Sequence, residues 1–101
     1  MIFAFNLIPP RPSFADDMAD DEKAMMDRHV EYWQGLMADG VAVAFGPVVD
    51  PDGAYGLAVV EVEGQEHAER LISGDPAVRG GLTCKAYPMP GAFVRPTAPA
   101  R

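Results

Sequence analysis

VAVAFGPVVDPDGAYGLAVVEV, residues 41–62, reads as two strands joined by a tight turn. Val41 to Val49 is almost continuously apolar, and Tyr55 to Val62 repeats that character after Asp50-Pro51-Asp52-Gly53, where proline presets one backbone angle and glycine admits the next. The first run is interrupted at Gly46-Pro47. Proline removes a ladder donor, so this pair belongs at a sheet edge or a bulge. Because both arms are apolar at successive positions, both faces of their sheet need cover.

Upstream of the hairpin, Asp20 to Asp39 has the 3.6-residue periodicity of one amphipathic helix. Gly40 follows it, suited to the left-handed conformation after a helix end. Asp16 to Asp21 supplies caps for its start, and acidic residues there complement the helix macrodipole. Ile2 to Ile8 reads as a short buried strand, with Phe3, Phe5 and Leu7 on one side, stopped by Pro9, Pro10 and Pro12. Downstream, Gly64 opens a helix to about Ser73 with Ala68, Leu71 and Ile72 inward. Asp75-Pro76 starts a further helical turn closed by Gly80-Gly81, and Leu82 to Tyr87 forms the last strand.

The order strand, helix, strand, strand, helix, strand predicts an α+β, ferredoxin-like βαββαβ domain, in which two helices cover one face of a four-stranded sheet. The apolar second face then calls for a second copy, and a homodimer packed through the open sheet faces is expected. One domain, residues 1–90, is followed by an extended proline-rich tail, residues 91–101. The acidic, proline-rich segment 9–22 resembles an insertion that either folds over a cleft or lengthens a loop.

A net charge of −7 and a pI near 4.5 lack the basic footprint that nucleic acid demands. Cys84 is the only cysteine, which excludes an intrachain disulfide and a cysteine-based metal cluster and suits a reducing cytoplasm. The apolar run 2–8 is too short to span a bilayer and lacks a basic leader, so neither a membrane partner nor that export route is expected.

Within the long helix His29 falls inside the stripe formed by Met26, Val30, Trp33, Leu36 and Met37. A polar group in an apolar site costs about 1–3 kcal/mol if unpaired. His29 therefore either bonds a backbone carbonyl as a core residue or lines a cavity. Asp75, before Pro76, is equally suited to capping the following turn. Tyr32 and Trp33 read as core and pocket wall, and His67 as a solvated residue on the rim of the second helix.

The segments RHVEYWQGLMADG, FGPVVDPDGAYGLAVVEV and AERLISGDPAVRGGL resemble the YCII-related (YciI-like) domain, from the first strand to about Pro88. The shared pattern is a helix histidine, here His29, then Gly46-Pro47, then Asp52-Gly53 with Gly56, and finally Asp75-Pro76. The resemblance implies the dimeric α+β barrel relative of the ferredoxin-like fold. It also implies a catalytic pair, His29 and Asp75, beside a cleft, with Gly46 and Pro47 on the ligand side. A carboxylate accepting from one imidazole nitrogen fixes the tautomer and leaves the other nitrogen free to move a proton. That chemistry needs neither metal nor other cofactor. With no serine or cysteine nucleophile beside the base, it suits a lyase or isomerase on a small metabolite better than acyl transfer. A few relatives are linked to halide removal from aromatic breakdown products, which suggests a phenolic or ring-derived substrate. The alternative is a non-catalytic small-ligand or protein-binding module in which the same pair only holds the cleft together.

Overall fold

The structure is a computed structural model describing residues 1–96. Its elements are β1 (Ile2–Ile8), α1 (Phe14–Asp17), α2 (Asp20–Ala38), β2 (Ala42–Val48), β3 (Tyr55–Glu61), α3 (Gln65–Gly74), α4 (Pro76–Arg79) and β4 (Thr83–Pro88). The strands form one antiparallel sheet in the order β2-β3-β1-β4, the ferredoxin-like arrangement. Every strand and both long helices fall where their residue patterns place them.

Alternation decides which face each strand residue takes. Phe3, Phe5 and Leu7 of β1 lie opposite Val60, Ala58 and Gly56 of β3, and this face is buried. Trp33 of α2 and Ala68 and Leu71 of α3 pack on it, so the two long helices cover the same side. A second cluster joins Leu7, Phe14, Met25, Ala77 and Leu82, drawing α1 and α4 against the same end of α2. On the other face lie Ala4, Val59, Leu57 and Tyr87, with Leu57 and Tyr87 well exposed. Asn6 is also on that face, and its Oδ1 is buried with no hydrogen-bond partner among the described residues.

Helix α2 ends in a Schellman motif: Gly40, at φ 78°, donates to the Met37 carbonyl while Val41 donates to Leu36. Its start differs from the expected aspartate cap. Ala19 occupies the N-cap position, and the Glu22 carboxylate accepts from the Ala19 N–H at 2.9 Å, so the third helical residue supplies the cap. The inward stripe is also rotated from the expected one. Met25 and Trp33 are buried, Met26, His29 and Leu36 half-buried, and Val30 and Met37 exposed. The helix leans on the sheet through Trp33 and on α4 through Met25, leaving the Val30 side over an opening.

Strand β2 runs uninterrupted through Gly46-Pro47, because as an edge strand it tolerates the lost donor. The register shift lies earlier, between Ala42 and Ala44. Residues 14–17, for which no regular element was expected, form the short helix α1. Residues 91–96 carry no helix or strand, and the remainder of the expected extended tail, 97–101, lies outside the described residues.

Candidate active site

Asp75 sits at a joint. It follows the last residue of α3 and caps α4, with an extended backbone (φ −71°, ψ 122°) that lets its Oδ1 accept from the Ala77 N–H at 2.9 Å. Pro76 occupies the first helical position, where a missing N–H costs nothing. This is the cap that Asp-Pro predicts. The same carboxylate also does the second thing considered for it: His29 Nδ1 lies 2.8 Å from Oδ1 and 3.0 Å from Oδ2. Capping and pairing are compatible because a carboxylate has about four acceptor sites.

Two features bring α2 close enough for that contact. Tyr32 Oη donates to the Leu71 carbonyl at 2.7 Å, tying α2 to the last turn of α3. Gly74 makes room, since a Cβ there would stand 2.7 Å from Tyr32 Oη. Burial, with a smaller contribution from the Asp75 charge, raises the Tyr32 phenol above the ordinary tyrosine range, so it stays a donor.

Trp33, one turn after His29, donates its Nε1–H to Asp75 Oδ2 at 2.9 Å. The indole is wedged edge-on against Phe5 at 5.7 Å and Tyr32 at 6.0 Å between ring centroids. Trp33 was expected as core and wall, and its bond to Asp75 adds a role. The available signal was the i, i+4 spacing of an imidazole and an indole, which aims two donors from one helix face at one acceptor.

His29 and Asp75 line a cavity of about 270 Å³ between α2 and the sheet. Phe5, Trp33 and Phe45 form its floor, and Gly46 and Pro47 lie along its β2 side, so all four expected site residues border one space. The 9–22 segment resolves in favour of cover: Pro9, Phe14, Ala15 and Met18 contribute to the wall. Arg11 holds this strap in place. Its guanidinium donates twice to the Glu22 carboxylate, at 2.8 and 2.9 Å, and through Nε to Asp17 at 2.8 Å. The Arg11 bonds, aided by the Ala19 N–H, hold the Glu22 carboxyl down to about 2. Asp17 is also lowered, by its bonds from Ser13 and Arg11.

Cys84 reaches the cavity wall as well, but burial, reinforced by the Asp75 charge, pushes its thiol up to about 11. A thiol so protonated is no nucleophile at neutral pH. His67, expected to be solvated, is half-buried and accepts from the Glu63 N–H at 3.1 Å, a local contact at the start of α3 away from the cavity. Among the described residues no group of three or more His, Cys, Asp or Glu could hold a metal ion, and no helix is long and apolar enough to cross a membrane.

The YCII-related domain model matches residues 2–88, all but the edges of the described chain. The chain belongs to the YCII-related domain family. Among solved structures, this YCII-related chain is similar to the 5-chloro-2-hydroxyhydroquinone dehydrochlorinase of Burkholderia phenoliruptrix AC1100, solved in complex with 2,5-dihydroxybenzoquinone. The TM-score is 0.67 at 16% identity, covering 88% of this chain and 93% of that one, a likeness of fold. No curated protein matches this YCII-related chain.

Replacing Asp75 by Asn puts an amide, able to donate as well as accept, against His29. Long-range 1H–15N spectra of the neutral ring should change from the Nδ1–H form to a mixture of tautomers, and an unchanged spectrum would show that the carboxylate does not set the ring. The Glu22 carboxyl is depressed in the folded protein, so its clamp on the strap is complete above the unfolded value near 4.5 and is lost as pH falls through about 2. Protection factors at residues 14–17, taken against the intrinsic exchange rate at each pH, should fall across that acid window, and Arg11→Met should abolish the pH step.

Proposed function

We propose that the chain is an enzyme of the lyase or isomerase type that moves a proton on a small ring-derived, hydroxylated metabolite, with His29 as the general base and Asp75 as its partner. The observation that carries this reading is the 2.8 Å contact between His29 Nδ1 and a carboxylate that is 2% exposed, on the wall of an apolar cavity. With Asp75 accepting a hydrogen bond from Nδ1–H, Nε2 is the nitrogen left to take a proton from substrate.

In an elimination, Nε2 takes the proton, the C–H electron pair becomes a new double bond, and the leaving group departs from the neighbouring carbon with its own bonding pair. In an isomerisation the protonated ring returns the proton at a second position. Either sequence needs one base and a dry, close-fitting site, and neither needs a nucleophile. About 270 Å³ suits a single substituted ring. Phe5, Trp33 and Phe45 offer faces for it, while Gly46 and Pro47 leave the β2 side of the cavity without bulk. The dehydrochlorinase with the same fold acts on a chlorinated hydroxyhydroquinone, which supports loss of halide from a ring as the first reaction to assay. The single, reduced Cys84 accords with a reducing cytoplasm.

A non-catalytic ligand-binding module is the second reading, and one observation favours it: the Asp75 cap on α4 would be present whether or not His29 ever moved a proton.

We also propose that the protein works as a homodimer through the open sheet face. Exposed Leu57 and Tyr87 share that face, and association would remove their apolar surface from water.

His29→Gln keeps a polar side chain of similar reach but removes the base. Turnover of halogenated hydroquinones should fall by at least about 100-fold, the usual scale of a general base, with ligand affinity retained. A change confined to affinity favours the binding module. In light scattering the wild type should have twice the 10.8 kDa chain mass and Val59→Lys the mass of one chain. A monomeric wild type overturns the dimer.

A further inference from the structure

The geometry points to Trp33 as a positioning residue for the base: its indole N–H anchors the second oxygen of Asp75 and so holds His29 in the one tautomer that leaves Nε2 free. This inference rests on the acid–base reading of His29.

Asp75 meets three nitrogen atoms. Oδ1 accepts from Ala77 N–H at 2.9 Å, Oδ2 accepts from Trp33 Nε1–H at 2.9 Å, and His29 Nδ1 faces both oxygens. Neither an amide N–H nor an indole N–H can turn round and accept. A carboxylate is acceptor-only, and these two donors each occupy one of its oxygens. The third nitrogen must then be the donor, which makes His29 the Nδ1–H tautomer.

The two fixed donors also do different work. The Ala77 bond holds Oδ1 alone, about which a carboxylate can still turn, because the torsion to a planar terminal group is broad. The Trp33 bond pins the other oxygen. With both held, the plane of the carboxylate is set, and with it the direction in which the imidazole must point. The indole itself has little freedom: it is 3% exposed and contacts Phe5, Tyr32 and Phe45 at centroid separations of 5.7, 6.0 and 6.1 Å.

Because His29 and Trp33 are one turn apart on α2, the base and the clamp on its partner move as one body. The other titratable groups on or beside this site are Tyr32, Tyr55 and Cys84. Tyr32 donates to the Leu71 carbonyl, and among the described side chains only His29 joins the indole at Asp75.

The test is the long-range 1H–15N spectrum of the neutral His29 ring in the full chain, compared with Trp33→Phe, which keeps an aromatic ring and removes the N–H. The wild type should show the Nδ1–H tautomer alone, and the variant should lose that single signature to a mixture of both. Should Trp33→Phe not fold, replacing Trp33 by 3-benzothienylalanine, a bicyclic isostere with sulfur for N–H, makes the same deletion at the chain's sole tryptophan. A variant that keeps the pure tautomer overturns the role of Trp33 while leaving the His29–Asp75 pair intact. A wild type that is already a mixture overturns the pair and the positioning role together.

Discussion

The Asp75 carboxylate, 2% exposed, accepts from Trp33 and faces His29, residues 42 and 46 positions away in the chain, while capping the turn that follows it. A buried carboxylate that loses its partners costs about 3–5 kcal/mol, so α2 is obliged to lie where both side chains reach. That obligation sets the height and roll of α2 against the α3–α4 joint. Tyr32, bonded to the Leu71 carbonyl, and the absence of a side chain at Gly74 allow the approach.

With α2 held there through its middle turns, Met26, His29, Val30 and Trp33 face Phe45, Gly46 and Pro47 of β2 across a gap. The gap between them is the cavity, and its surroundings keep it open. Gly46 has nothing within 4 Å of where a side chain would start, whereas Gly56 lets Leu7 press close from β1. Phe14 is 4% exposed and brings α1 down as a wall, while Arg11 ties the strap to the start of α2 from the solvent side. Exposed ion pairs of this kind hold position more than they add stability. The histidine–carboxylate pair meanwhile sits among aromatic and aliphatic groups, where weak screening strengthens each hydrogen bond.

Much of this was legible in residue order. The alternation of Phe3, Phe5 and Leu7, the turn at Asp50 to Gly53 and the helix end at Gly40 each encode a local constraint that tertiary packing had no reason to override. His29 was conspicuous as a polar residue in an apolar stripe, and Asp75 as a residue before proline at a helix start. The departures have one kind of cause. Ala19 takes the cap position because Glu22 reaches back to its N–H, and that same carboxylate is held by Arg11, a contact across the strap. The stripe on α2 rotates toward Met25 because α4 offers a surface there that periodicity along one helix does not reveal. Helix α1 is too short to show a period, and it forms where Phe14 finds a buried place.

By itself the sequence determined the element order and the ferredoxin-like class, and it marked His29 as a polar residue in an apolar stripe and Asp75 as a cap before proline, because backbone preference and side-chain periodicity act over a few neighbours. Only the tertiary structure decided that His29 and Asp75 meet, that Trp33 shares the same carboxylate, and that residues 9–18 wall the cavity. Those outcomes depend on how far α2 stands from the α3–α4 joint, a distance set by packing between residues more than forty positions apart, and no local pattern carries it.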